Sequence, residues 1–461
     1  VGLSGGISAR TRVCVAVLVA LMLCVPVAAR VRGAAVSSNP ARGRIAAGTA
    51  HTCAIATDDV VWCWGDNTYG QLGSSAHSTL PSGQANSPVQ AAALPGGRVA
   101  RQVTAGDYHA CVLANDGTVW CWGDNGFGQS GHPSLTVQAD PVQVTLSASA
   151  TLVTAGGNNT CALLSTGQLM CWGKNNRGQL GNGTQDSVAH AIPTAVTSIP
   201  SSFSVESIDI GALHMCATST VGDSWCWGAY TNGRLGTTAA SDSLTPQRIS
   251  TLAAGVSTSA TAGFNHSCVV LNAAGWCFGS NSSGQLGSDP NTYTQSSTPL
   301  SVAFTSVPDL IASGKDFTCA VLTSQSLECF GLNDNGQLGE SLITAARHTP
   351  QTVGGISTGV VDIALGATHA CAVFGSGAVK CWGAGSQGQL GNGGTTRQTS
   401  AVAVGSLNVA PTTTTTTTSS TSSTSSTSSS TTTSSSTSTT VAPSSSSGQQ
   451  GVASTPKYIA L

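Results

Sequence analysis

Fourteen cysteines stand in seven pairs, six of them ten residues apart and one nine: Cys53–Cys63, Cys111–Cys121, Cys161–Cys171, Cys216–Cys226, Cys268–Cys277, Cys319–Cys329 and Cys371–Cys381. Paired thiols can bind metal or close disulfides. The zinc-type C-x2-C spacing occurs nowhere in the chain, which argues against metal. Turn residues such as Asn115-Asp116-Gly117 sit midway between the cysteines, and strand-forming residues flank them, as in CVLANDGTVWCW (111–122). A hairpin centred on Asp116 puts positions 111 and 121 opposite each other, with Cα atoms ~4.5–5.5 Å apart, within reach of a disulfide. Seven local disulfides are therefore predicted. Each closes a short loop worth roughly 2–3 kcal/mol in the loop-entropy model, and all require an oxidising compartment.

Five histidines occupy one position, two before the first cysteine of a pair: His51, His109, His214, His266 and His369. Imidazole is a common metal ligand. The same position carries Asn159 and Phe317 in the other two copies, however, so a blade-by-blade structural role, bonding local backbone, is expected. Asp66 and Asp124 suggest calcium, but their equivalents are Lys174, Ala229, Ser280, Leu332 and Ala384, which would not repeat a site. The glycines of the Gly-Gln-Leu-Gly segments fall between strands and not before a helix, so they form no phosphate cradle. No Ser-His-Asp grouping or carboxylate pair stands out from the repeats. The sequence thus assigns no catalytic, cofactor or metal residue.

The elements that position these side chains come from one repeat. Successive second cysteines lie 58, 50, 55, 51, 52 and 52 residues apart, a period that with strand-like content indicates a propeller. Each unit shows a strand running through the first cysteine (45–55, 103–113, 153–163), a second strand holding the Cys-aromatic-Gly triplet, and a third after a polar loop (87–94, 140–146, 245–250, 349–356). A fourth short strand is expected around Gly-Gln-Leu-Gly. Trp64, Trp122, Trp172, Trp227, Phe278, Phe330 and Trp382 each follow the second cysteine. Strand side chains alternate, so each unit offers an aromatic on one face and a disulfide on the other. Sulfur then meets the ring of the next unit, and all nine tryptophans read as blade core. The expected fold is all-β: a seven-bladed β-propeller over 44–407 in ~52-residue repeats (44–98, 99–148, 149–203, 204–257, 258–308, 309–360 and 361–407). The last strand, 399–407, is expected to close the ring near 44–55.

Only 8% of residues are charged and the formal net charge is −2, so no extended basic surface for nucleic acid is expected. Residues 1–35 read as an export signal, with Arg10 and Arg12 before a thirteen-residue apolar stretch (13–25), too short to span a bilayer comfortably. An uncleaved N-terminal anchor is the alternative; otherwise no membrane span is expected. Residues 36–43 read as a linker. From 411 to 447 almost every residue is Ser or Thr, which leaves nothing to bury. Such a disordered stalk reaches on the order of 100 Å if extended at ~3 Å per residue. A C-terminal tail, 448–461, follows.

The pattern AG-x-x-H-T-C-A-L…W-C-W-G-x-N-x-x-G-Q-L-G resembles the repeats of the regulator of chromosome condensation (RCC1-type) family over residues 44–407. The resemblance implies a seven-bladed propeller; paired cysteines and export are departures from the nuclear member. It is consistent with an extracellular or cell-surface, non-catalytic scaffold, expected to be monomeric, that binds a protein or cell-wall glycan partner. The binding elements would be the variable loops 74–86, 132–139, 182–192, 237–244, 288–298 and 340–348, of which the longest, extending through residue 87, is the favoured site. Secreted bacterial propellers that resemble the family include a β-lactamase inhibitor. Guanine-nucleotide exchange is the alternative that the resemblance implies, and an enzyme acting on cell-wall sugar is a third.

Overall fold

The computed structural model describes residues 43–409, except 81–82, 201–202, 220, 239, 253–254, 256 and 342–345. The export segment, the linker up to residue 42, the Ser/Thr-rich stretch and the C-terminal tail lie outside the described residues. Seven four-stranded antiparallel sheets follow one another, each built from strands consecutive in sequence: an all-β, seven-bladed propeller. Blade 1 consists of β1 (Ile45–Ala47), β2 (His51–Ile55), β3 (Val61–Asp66) and β4 (Gln84–Gln90). Blade 7 runs through Val360–Leu365, His369–Phe374, Ala378–Gly383 and Gln398–Asn408.

Three sequence expectations are corrected. The stretch read as one strand over 45–55 is two, folded back at Gly48-Thr49-Ala50 so that Ala46 pairs with Cys53. Apolar alternation continues across this turn, which hides it. The fourth strand is therefore the innermost one, and Gly-Gln-Leu-Gly is a turn in which Gly73 N donates to Gly70 O. The outer strands also start a few residues earlier than expected, because a bulge falls between the cysteine and the glycine of every Cys-aromatic-Gly triplet, as at Cys63/Gly65. Gly65 has φ +103°, a conformation that suits glycine and no other common residue. At ring closure the last strand lies against blade 1, near residues 45–64, and no strand is shared between blades. Blade 7 packs on blade 1 as any blade packs on the next, and Thr57 N donates to Asn408 O at 3.0 Å.

In every blade the paired cysteines are register partners across the second and third strands, as in Cys53↔Cys63 and Cys111↔Cys121. Disulfides join all seven pairs across Cα separations of 4.1–4.2 Å. Each disulfide packs with the aromatic of the following blade in one buried core: Cys53–Cys63 with Trp122, Cys216–Cys226 with Phe278, and Cys371–Cys381 with Trp64. The cores of the propeller are thus the seams between blades. Trp62, Trp225 and Trp276, expected in the core, are only partly buried at the blade periphery.

Each seam carries the same polar clasp. The main-chain carbonyl at the Gln position of Gly-Gln-Leu-Gly accepts a donor from the next blade. The Trp indole N–H donates in five seams, at 2.9–3.0 Å: Trp122 to Gln71, Trp172 to Gln129, Trp227 to Gln179, Trp382 to Gln337 and Trp64 to Gln389. Phe278 and Phe330 have no N–H, and there Ser267 and Thr318 hydroxyls donate to Arg234 O and Gln285 O. Thr52 and Thr160 add a second donor to Gln389 O and Gln129 O. Every one of these buried carbonyls therefore has a partner, as the cost of an orphaned polar group requires.

The histidines complete the clasp. They do not bond local backbone, as expected from sequence; they reach the hydroxyl of the next blade. His109 Nε2–H donates to Thr160 Oγ1 at 2.8 Å, His214 to Ser267 at 2.7 Å, His266 to Thr318 at 2.9 Å and His369 to Thr52 at 2.9 Å. The hydroxyl proton is committed to the carbonyl, which fixes the Nε2–H tautomer. Where Asn159 and Phe317 replace histidine, Met215 and Ala370 replace the hydroxyl of the next blade; Phe317 and Ala370 share one core, and Asn159 Nδ2 donates to Lys174 O. His51 is the mismatch: blade 2 carries Ala110 there, and both His51 ring nitrogens lack a partner. Burial holds all five histidines neutral, lowering the pKa of His51 to about 4, those of His109, His266 and His369 to about 3, and that of His214 well below its ordinary value.

The incomplete clasp can be repaired. Ala110→Thr supplies the missing hydroxyl to His51 and should raise stability by about 1–2 kcal/mol, whereas Ala110→Val, of the same volume, should not. Thr160→Val should cost about 1–3 kcal/mol by orphaning His109. Denaturant midpoints of the oxidised variants compare these directly, and equal midpoints for the two substitutions of Ala110 would refute the clasp. Acid should also loosen the seams. The histidines are neutral when folded and titrate near 6.5 when unfolded, so their contribution is complete above that pH and is lost as pH falls toward about 4. Asp209, raised to about 6 by burial, opposes them with one proton. Unfolding near pH 5 should therefore take up about four protons. His109→Asn, which places in blade 2 the residue blade 3 already uses, should reduce the slope of stability against pH by about one proton.

Candidate interaction face and central channel

The two ends of the propeller differ. At one end, the turn between the first and second strands is bonded to the start of the loop between the third and fourth: Asp66 N donates to Ala50 O, Asp124 N to Tyr108 O and Lys174 N to Asn158 O, and the other four blades repeat this. This end is the turn face, and it carries all the variable loops. The other end carries the hairpin turns and the connections between blades. Both described chain ends lie on this hairpin face: Ile55 N donates to Arg44 O, and Val409 N to Gly377 O.

Exposed large apolar side chains are one-sided. Among the described residues Tyr69, Leu135, Val137, Tyr230, Phe264 and Tyr293 lie exposed in turns and loops of the turn face, as does Val188. Val221 and Val307 project from the hairpin face, and Ile192 lies on an outer strand. Tyr69 of blade 1 meets Tyr108 of blade 2 with ring centroids 5.2 Å apart. Beside them Lys174 Nζ stands over the Phe127 ring at 4.7 Å, and across the channel mouth Lys315 Nζ stands over Phe264 at 5.6 Å. Arg234 replaces Gln in blade 4 and is almost wholly buried, its Nη1 donating to Phe264 O. Burial lowers its pKa to about 10, with Asp242 opposing the shift and Arg177 adding to it.

Three carboxylates belong to the turns of the tyrosine pair: Asp66 in that of Tyr69, Asp107 beside Tyr108, and Asp124, whose main-chain N donates to Tyr108 O. Asp66 accepts from Thr68 N, Thr68 Oγ1 and Gln71 Nε2, and Asp124 accepts from Gly126 N and Gln129 Nε2. Both cap their own turns, which accounts for them without calcium. Asp107 accepts from Thr49 Oγ1, and burial raises its pKa. The Tyr108 hydroxyl is pushed up by burial first, and then by Asp107, Asp66, Tyr69 and Asp124.

A central channel of about 570 Å³ runs between the innermost strands, lined by main chain and small side chains. Side chains of one blade bond the exposed strand edge of the next: Thr104 Oγ1 accepts from Ala155 N, Thr261 Oγ1 from Ser313 N, and Asp362 Oδ2 from Gly43 N. Asp209 Oδ2 accepts from Ala262 N and Thr261 Oγ1. No group of three or more His, Cys, Asp or Glu side chains that could hold a metal ion occurs among the described residues.

Loop 74–87, the docking site expected from sequence, shows fewer exposed apolar side chains among its described residues than the channel-side turns. In that loop Ser75 N donates to Asp140 and the His77 ring bonds Gln90 O, and among its described residues none is a large exposed apolar side chain. Tyr69, Tyr108, Phe127 and Phe264 are not distinguished by sequence reasoning. They occupy the variable x positions of AG-x-x-H and G-x-N-x-x-G-Q, and aromatic residues at freely varying turn positions are the one signal that marks them.

The fold and repeat agree with known proteins. A model of the RCC1-like domain matches residues 28–269, and models of the regulator of chromosome condensation (RCC1) repeat match 329–373 and 360–389. The chain is 28% identical over 372 residues to the ultraviolet-B receptor UVR8 of Arabidopsis thaliana, covering 79% of this chain and 82% of the receptor. It is 34% identical over 337 residues to the probable E3 ubiquitin-protein ligase HERC3 of Homo sapiens, 72% of this chain but only 31% of that protein. Among solved structures, yeast RCC1 (Prp20) bound to Kap60 superposes with a TM-score of 0.67 at 19% identity, covering 74% of this chain and 83% of that one. Prp20p of Saccharomyces cerevisiae, described with its binding to Gsp1p and histones, gives 0.66 at 18%, covering 79% and 88%. With its repeats, its seams and a family model spanning more than half its length, this chain belongs to the RCC1-like domain family.

Proposed function

We propose that the protein is an exported or cell-surface interaction scaffold that docks another protein on its turn face without catalysing a reaction. The single observation that carries this reading is the one-sided exposure of tyrosine, phenylalanine and aliphatic side chains on that face. Aromatic residues are enriched in interfaces, where they contribute large rigid contact area. The seven seams hold the blades rigid, so loops and turns present a pre-ordered surface. Both described ends lie on the hairpin face, which leaves the turn face of the described residues unobstructed by them. Seven buried disulfides favour an oxidising location. Protein recognition by relatives, such as yeast RCC1 with Kap60, is a property of those proteins and supports the reading by analogy.

Cross-linked capture with the full oxidised chain, read by mass spectrometry, tests this. A protein partner should be recovered by the parent and by a hairpin-face variant (Val221→Ser with Val307→Ser), and lost with Tyr230→Ser plus Phe264→Ser. Retention on wall glycan alone, or a partner indifferent to both variants, would overturn the proposal. Thiol titration of native material locates it: fourteen oxidised cysteines outside the cytosol are expected, and free thiols inside it would refute export.

A further inference from the structure

We propose that the blade 1–blade 2 sector of the turn face receives an arginine- or lysine-rich segment of the partner, seated on Tyr69 and Tyr108 between Asp66, Asp107 and Asp124. The inference rests on the docking reading above and adds the partner's chemistry. Tyr69 is 39% exposed, and its ring meets that of Tyr108 at 5.2 Å between centroids with the planes tilted by 50°. Aromatic faces attract cations, Arg especially. The carboxylates make the sector electrostatically complementary to the same group. None of the three enters a salt bridge among the described residues, whereas Asp59, Asp116, Asp223, Asp242 and Glu340 elsewhere each hold an arginine. Burial first, and then these carboxylates together with Tyr69, push the Tyr108 hydroxyl upward.

Two local features point to the same seam. Lys174 holds an ammonium over Phe127 at 4.7 Å, a cation on an aromatic ring within this fold, and its charge also acts on Asp107. The seam beneath is also the one where the histidine clasp is incomplete, because Ala110 leaves His51 without a hydroxyl. The carboxylates can be altered without destroying their turns. Ala229, Leu332 and Ala384 occupy the Asp66 position in other blades, and the same turn hydrogen bonds form there.

A fluorescein-labelled hexa-arginine peptide, titrated by anisotropy with the full oxidised chain, is the probe, and hexa-glutamate is the control. Saturable binding that weakens with added salt is expected. Asp66→Asn with Asp124→Asn should weaken it about tenfold and flatten its salt dependence, and Tyr69→Ser should weaken it severalfold. Val307→Ser, on the hairpin face, should leave it unchanged. Near-UV circular dichroism checks that each variant keeps its fold; the Asn pair preserves shape if the tyrosine variant does not. Absence of saturable binding, equal binding by all variants, or equal binding of hexa-glutamate overturns the inference. A partner captured through Tyr230 and Phe264 but indifferent to the Asn pair would overturn it while leaving the docking reading intact.

Discussion

A buried carbonyl organises this protein. In each blade the turn at Gly-Gln-Leu-Gly delivers one main-chain oxygen into the seam with the next blade, where water does not reach it. An orphaned acceptor there would cost about 1–3 kcal/mol, and every seam supplies a donor: an indole, a hydroxyl or both. The choice of aromatic is coupled to this need. Phenylalanine appears after the second cysteine only in blades 5 and 6, and those blades carry Ser267 and Thr318. The histidines extend the same network and are neutral because they are buried in it.

The disulfides belong to the same seams. A four-stranded sheet has two faces to bury, and the ring solves this by setting the disulfide face of one blade against the aromatic face of the next. Crossing from second to third strand within a blade, each disulfide fixes hairpin register while its sulfurs fill the space beneath the neighbouring ring. Local covalent closure and inter-blade packing therefore reinforce one another without any link between blades.

Once the seams are satisfied, few positions remain free to vary. The turn asparagine is one that is not: Asn67 Oδ1 accepts from Leu72 N while its Nδ2 donates to His77 O, and Asn125, Asn175 and Asn281 hold their turns in the same way. The free positions are the x residues of the turns and the loops beyond them, and all of these emerge on one face. Tyr69, Tyr108, Phe127 and Phe264 collect there at positions the seams leave free.

The repeat period, the hairpin between paired cysteines and the aromatic after each second cysteine are legible in the sequence because they depend on local spacing: strand alternation and hairpin register are fixed within a dozen residues. The fold-back at Gly48 escapes such reading because alternation runs unbroken through a tight turn. The true start of the outer strand escapes it because a bulge shifts register by two residues, which keeps the alternation and leaves no periodic mark. The number of blades and the pairing of the cysteines are thus written in the chain alone. What crosses the seams is not, since His109 meets Thr160, and Tyr69 meets Tyr108, some forty to fifty residues away along the chain. These contacts depend on how one blade is rotated against the next, a geometry set by packing around the ring and invisible within any single repeat.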